Sequence, residues 1–428
     1  MKRWIPIIVA GVSTVAAAAP LVAQAKDITL EVTTWDGEDG QVPLKEAAAD
    51  FMSLHPNVKI QIVQLTGDYK AKLIAQVVAG GGPQVFMVGD WDYASYAQGG
   101  ITADLTPYLQ RDKVDLNQYI PQLLDSHRYT DGKIYSLPKD FSTVGVYYNK
   151  DFFDQAGLAY PTKGWTWDDA QALSKKLAVI GADGKTKRYG LAVSPGWDAV
   201  WWSFAWGAGQ SLMDDTFRHV TGFMDNEAAV NAMQRFGDLV TKYPDTIVTN
   251  DAWNALGGEQ KLFQSGLSAM VMWGNWMIAS NQTQPNLHWG TVEPPTLGAH
   301  STTFIMEAGW GLNPNLKDPD VREAAWQLVK FLGTAKGQWH MSHALWAMTS
   351  IPSVAQQVGI TSDPYYKAFF DAAYESMPTY WTKVPDFDKN FNQPWQKAKT
   401  PALSGQPLKV GLGGVVPVIE KNLSELQK

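Results

Sequence analysis

Three observations predict an α/β fold. Short β-type segments alternate with helix-period segments from Ile28 onward, and the breaks between them are rich in Gly, Pro and Asn. With 45% hydrophobic and 18% charged residues, the chain has ample apolar material for a core. Strands alternating with helices imply βαβ units and a mainly parallel sheet.

The segment Ile28 to Trp35 alternates its side chains as a strand does and runs into the turn Asp36-Gly37-Glu38-Asp39-Gly40. From about Gln41 to His55, Leu44, Ala47, Ala48, Phe51 and Leu54 recur at three- and four-residue steps, which predicts a helix with one buried stripe ended by Pro56-Asn57. A strand at Val58 to Val63 follows, then a helix around Tyr69 to Ala79, then Gly80-Gly81-Gly82-Pro83 and the apolar run Val85 to Val88. Further helices fall near Thr166 to Val179, Asn226 to Lys242, Gly258 to Ser265 and Pro319 to Leu332. The last places Val321, Ala324, Ala325, Leu328 and Leu332 on one face. No low-complexity linker and no repeat of fixed period divides the chain, so its lobes are expected to cross over rather than sit end to end.

At 428 residues the chain exceeds the roughly 250 to 300 at which single cores stop growing, so two or three domains are expected. The absence of cysteine excludes disulfides, thiolate metal sites and thiol nucleophiles. Thirty-five Lys plus Arg against 42 Asp plus Glu give a net charge of -7, which argues against a nucleic-acid partner. Nineteen Trp exceed the 16 Phe and the 16 Tyr, an excess that calls for a use.

Lys2 and Arg3, the apolar and small-residue stretch Ile5 to Pro20, and Ala23-Gln24-Ala25 read as a secretory signal peptide over residues 1–25. No Cys follows the cleavage point, so a freely soluble periplasmic protein beginning at Lys26 is expected.

Three ordered stretches carry a resemblance: GGGPQVFMVGDWDYASY from Gly80 to Tyr96; DGKIYSLPKDFSTVGVYYNKDFFDQAGL from Asp131 to Leu158, with GWTWDDAQALSKKL from Gly164 to Leu177; and FQSGLSAMVMWGNW from Phe263 to Trp276, with AGWGLNP from Ala308 to Pro314. Together the chain resembles the extracellular solute-binding proteins of ABC sugar importers, family 1, the branch that includes maltose-binding protein. Gln84 stands where that family usually has Asp. The resemblance implies a two-lobed periplasmic-binding-protein fold, each lobe a mainly parallel sheet flanked by helices, hinged by crossover strands. It places the first lobe at about 26–140 plus 305–346 and the second at 141–304 plus 347–428.

A sugar presents an apolar C–H face that an aromatic ring can cover, and hydroxyls that pair with Asp, Glu, Asn and Gln. Trp beside acid or amide recurs here, giving the candidates Trp35, Glu38, Asp39, Asp90, Trp91, Trp197, Trp273, Asn275, Trp276, Glu307 and Trp310. The resemblance favours Trp276 and Trp310 as cleft aromatics and adds Lys139, Asp140 and Ser142 on a crossover segment, where relatives carry aromatics at the first two positions and an acid at the third. Trp346, Tyr380 and Trp381 complete the candidates. Glu38 and Asp39 also suit a helix N-terminus, and Trp165, Trp167, Trp326 and Trp339 read as packing residues.

Enzyme motifs are missing: there is no G-x-S-x-G, no H-E-x-x-H and no P-loop. His340 and His343 could share a helix face, and ordinary packing is the reading for both. No catalytic residue, metal or cofactor is expected. The expected function is capture of a neutral mono- or oligosaccharide by a monomer that hands it to the membrane permease subunits of an ABC importer. A secreted glycoside hydrolase or lyase is the alternative, since Trp and carboxylates would serve either.

Overall fold

The computed structural model describes residues 1, 26–38, 40–244, 247–248, 250–343 and 347–426. The signal-peptide reading, Asp39 and Trp346 therefore fall outside the described residues. Nine strands are present among them: β1 (Ile28–Thr34), β2 (Val58–Gln64), β3 (Val85–Gly89), β4 (Leu137–Asn149), β5 (Val179–Ile180), β6 (Thr186–Ala192), β7 (Ser268–Gly274), β8 (Trp289–Val292) and β9 (Ile305–Leu312). Their order is β2-β1-β3-β9-β4-β7-β6-β5, with β8 also on β4.

The expected helices form close to their predicted limits. Val42–Leu54 buries Leu44, Ala47, Ala48 and Phe51, while Leu54, at its last position, faces solvent. Pro319–Gly333 buries Ala325, Leu328 and Leu332. Trp167–Leu177 opens on a capping box in which Thr166 and Asp169 satisfy each other's backbone N–H groups. Beside that cap, Trp165 donates to the Glu293 carbonyl at 2.8 Å and Trp167 to the Thr302 hydroxyl at 3.0 Å, so both rings pack with their N–H groups satisfied.

The sheet is mixed rather than mainly parallel. β1 runs parallel to β2 and β3, and β6 parallel to β7, as βαβ units require. The pairings β3–β9, β4–β9, β4–β7, β4–β8 and β5–β6 are antiparallel. For all but the short pair β5–β6 the reason is the long strand β4. Its first part, Leu137 to Thr143, pairs with β9, and its second part, Val144 to Asn149, pairs with β7 and β8. A strand that leaves one sheet to enter the next must run against the strand that returns, so the crossover pairings are antiparallel, whereas β1–β2, β1–β3 and β6–β7 are parallel.

Two main cores lie on either side of this change of partner. One gathers Leu30, Val32, Phe51, Met87, Trp310, Trp326 and Leu332 around β1, β3 and β9. The other gathers Val146, Trp167, Trp201, Trp202, Phe236, Met272, Trp395 and Ile419 around β4, β7 and the C-terminal helices. Much of the Trp excess is spent here: Trp167, Trp201, Trp202, Trp310, Trp326, Trp381 and Trp395 are all fully buried. No helix among the described residues is long and apolar enough to cross a membrane.

Candidate functional site

A cleft of about 380 Å³ opens between the two sheets, lined by Trp35, Asp36, Met87, Lys139, Asp140, Ser142, Asn275, Trp276, Ala279, Ala308, Ala347 and Tyr366. Most of its polar and aromatic lining follows strand ends or lies on the crossover strands, where open α/β sheets place ligands. Trp35 and Asp36 follow β1, while Asn275 and Trp276 follow β7. Asp140, Ser142 and Ala308 lie on β4 and β9, and Lys139 on β4.

Two indoles present themselves to this cleft. Trp35 is exposed and stands edge-on to Tyr69, ring centroids 5.1 Å apart, while the Tyr69 hydroxyl donates to the Met87 carbonyl at 2.9 Å. Trp276 is also exposed, backed by Trp273 at 5.5 Å and Trp197 at 6.3 Å. Gly274 is what lets it turn there, because a Cβ at that position would lie 2.1 Å from the Trp276 ring. The spacing in Trp273-Gly274-Asn275-Trp276 is thus a packing requirement as well as a signature.

The floor is polar. Lys139 is 3% exposed, and its ammonium lies 2.5 Å from Asp140 and 3.4 Å from Asp36. Burial works against that charge, but the two carboxylates outweigh burial and its pKa is raised, so the group remains an ammonium at neutral pH. Asn275 is buried and its Oδ1 receives no hydrogen bond, whereas Asp36 Oδ2 faces the Lys139 ammonium. Aromatic faces over a floor of hydrogen-bonding groups suit a polar solute with an apolar side.

Residues 34–339 match the profile of the bacterial extracellular solute-binding proteins. The chain belongs to that family. Among relatives of this solute-binding protein, a lactose-binding protein of Rhizobium radiobacter is 26% identical over 310 residues, covering 70% of this chain and 69% of that one. A multiple sugar-binding protein of Streptococcus mutans is 22% identical and covers 80% of each chain. An ABC substrate-binding protein of Listeria monocytogenes, solved in complex with cycloalternan, superposes with a TM-score of 0.75 at 24% identity, covering 94% of this chain and 99% of that one. That superposition shows the same two-lobed fold.

Of the sequence candidates, Trp35, Lys139, Asp140, Ser142, Asn275 and Trp276 come together in the cleft. Trp197 and Trp273 are half-buried behind Trp276 and support it. Glu38 is exposed and does not line the cleft. Trp310 is corrected to a core residue: it is fully buried with Leu30, Val32 and Leu332.

Asp90, Glu307 and Trp381 form a different group, buried against the crossover, with Trp91 half-buried beside them. β3 stops at Gly89, and Asp90 lies in the first turn of the helix Asp90–Gln98. Asp90 Oδ2 accepts from Trp381 Nε1 at 2.9 Å and from the Glu307 backbone N–H at 3.3 Å, and Oδ1 accepts from the Trp91 backbone N–H at 2.8 Å. Trp91 stacks on Trp381, centroids 5.0 Å apart and planes 7° from parallel. Burial and the neighbouring Glu307 carboxylate push the Asp90 pKa up to about 7, against the pull of its N–H donors. Glu307 Oε2 lies 3.3 Å from His127 Nε2, and His127 Nδ1 lies 2.7 Å from the Ser136 hydroxyl. Gly309 admits that imidazole, for a Cβ there would come within 2.6 Å of it. These residues tie the first sheet to the C-terminal segment and are no part of the cleft wall. Tyr380 is likewise buried, its hydroxyl accepting from the Leu212 N–H at 3.2 Å.

His340 and His343 do meet acids, from a helix distant in sequence: Asp50 at 3.3 Å and Glu46 at 3.5 Å. Among the described residues no cluster of three or more His, Cys, Asp or Glu could hold a metal ion. Sequence reasoning missed Asp36, Met87 and Tyr366 as lining residues. Tyr366 had a visible signal in the Tyr365-Tyr366 pair, whereas Met87 looked like any strand residue.

Proposed function

We propose that this solute-binding protein captures a neutral mono- or oligosaccharide between its lobes and delivers it to the membrane permease subunits of an ABC importer. The observation that carries this reading is the pair of exposed tryptophans, Trp35 beyond β1 and Trp276 beyond β7, over a floor of Asp36, Lys139, Asp140 and Asn275. Aromatic faces cover the C–H side of a sugar ring while planar polar groups meet its hydroxyls. The sugar-binding relatives support the same solute class.

The lobes are taken as 26–140 plus 305–346 and 141–304 plus 347–428, consistent with the change of partner along β4. The mature protein is a periplasmic monomer, released by cleavage after Ala25, and binds no nucleic acid. It carries out no reaction. A glycosidase needs one carboxyl group to protonate the leaving oxygen and a second to attack or to activate water, and both cleft carboxylates here are engaged by Lys139.

A sugar that touches both lobes favours the closed state by its differential affinity. A thermal-shift screen over neutral sugars identifies the solute. Small-angle scattering with and without it should then show a smaller radius of gyration at saturation, and an unchanged profile from an open form counts against capture by closure.

Trp276→Ala should weaken binding of that sugar by roughly 1–3 kcal/mol, the share a central aromatic commonly holds. Its melting temperature should hardly move, because the ring is 44% exposed. Calorimetric titration and a melt on the same variant check this, and retained affinity with a large drop in melting temperature would make Trp276 a packing residue.

A further inference from the structure

We propose that segment 379–386 is a strap that fastens the two lobes together outside the cleft, and that Asp90, its central contact, lets a proton decide whether the strap holds. This rests on the lobe limits taken above and not on the identity of the solute. One side of the segment belongs to the second core, where Tyr380, Trp381 and Val384 are buried with Phe387. Its other side is gripped by the first lobe at four places. Thr379 shares a hydrogen bond with Ser126 at 2.8 Å, and Trp381 Nε1 donates to Asp90 Oδ2 at 2.9 Å. The Lys383 ammonium lies 3.0 Å from the Asp125 carboxylate and donates to the Asp125 and Arg128 carbonyls. The Asp386 N–H donates to the Ser95 hydroxyl at 2.8 Å. Lobes hinged at the crossover strands cannot part while these contacts hold.

Of the carboxyl groups along this grip, those of Asp125 and Asp386 belong to exposed residues and that of Asp90 to a buried one. Asp90 is therefore the one whose surroundings change most when the lobes part. The groups that face it come from each element packed around it. Glu307 on β9 holds its carboxylate 3.3 Å from the His127 imidazole, Tyr93 on the helix of Asp90 donates its hydroxyl to the His127 carbonyl, and the Lys383 charge on the strap faces Glu307. Asp90 itself is met by N–H dipoles, from Trp381, Trp91 and Glu307. With the strap fastened, burial and the Glu307 carboxylate favour the neutral carboxyl, whose pKa is pushed up to about 7. Parting the lobes takes Trp381 away and lets water in, which returns Asp90 towards an ordinary carboxylate. The fastened state thus binds the proton more tightly, is favoured below about pH 7 and loses that advantage as pH rises through it.

Small-angle scattering on the ligand-free chain beginning at Lys26, at pH 5.5 and pH 8, tests this without any solute. The wild type is expected to be compact at pH 5.5 and larger at pH 8. Asp90→Asn should be compact at both. Trp381→Phe keeps a ring for the stack on Trp91 but loses the N–H, and should be larger at both. A wild-type radius of gyration that is the same at the two pH values overturns the proposal. So does an Asp90→Asn protein that still expands, since the titrating group would then be another, or a Trp381→Phe protein that follows the wild type. Binding gives a second reading: for whichever of lactose, maltotriose or raffinose binds, affinity should fall about tenfold from pH 5.5 to pH 8 in the wild type and hardly change in Asp90→Asn. If none of the three binds, the carbohydrate reading suffers and the scattering alone decides the strap.

Discussion

Lys139→Met is expected to lower the stability of the folded protein by about 3–5 kcal/mol, the cost of removing one partner from a buried ion pair. Methionine can fill the space of the lysine stem, so the loss would not come from a cavity. It would come from Asp140 and Asp36, which then face one another across a floor where Lys139 itself is 3% exposed. Urea unfolding at pH 7 measures the difference. Adding Asp140→Asn should restore part of it, because only one unpaired carboxylate remains. A loss below about 1 kcal/mol would place this lysine with surface ion pairs, which contribute little, and would mean that water reaches the floor.

The second large effect has the opposite sign. Asp90→Asn should stabilise the protein at pH 8 by about 2–3 kcal/mol. A folded pKa of about 7 against an ordinary 3.8 means that the folded state holds the Asp90 proton more tightly than the unfolded chain does. That contribution is favourable at low pH, is lost progressively as pH rises from about 4 to about 7, and leaves a cost of roughly 4 kcal/mol above that window. Asparagine removes the charge and forfeits one of the three accepted hydrogen bonds, worth about 1 kcal/mol. Denaturant unfolding of both proteins from pH 4.5 to 8 should show the wild type losing stability relative to the variant across that range. Parallel curves would show that Asp90 carries no proton at neutral pH.

The two substitutions mark the boundary of what the amino-acid pattern could reveal. Local periodicity is enough for the helix Val42–Leu54 and for the capped helix Trp167–Leu177, since each is set by neighbours three or four residues away. Trp35 and Trp276 were legible as cleft residues because each stands beside polar groups just past a strand end. Trp310 carried the same local signal, and alternation along Ile305–Leu312 cannot say which face meets the core and which meets a cleft. The Asp90–Trp381 bond and the Trp91–Trp381 stack were invisible for a different reason: their partners come from opposite ends of the chain. The antiparallel crossovers were missed because strand–helix alternation reports a chain's local order and says nothing about which strand returns between two others.

That returning strand also fixes the order in which the molecule can be made. β9 lies between β3 and β4 and pairs with both, yet it follows β5, β6, β7 and β8 in the chain. As the polypeptide is synthesised from its N-terminus, β3 is left with an open edge until the whole second sheet has emerged. Trp310, which fills the first core, is absent until then as well. No early fragment can therefore close its hydrophobic centre, and pairings over such sequence distances are slow to form. The nascent chain stays unfinished, and its exposed strand edge remains an aggregation hazard, until nearly three quarters of its length is available, so that completion of the first sheet waits on the strands β5 to β8.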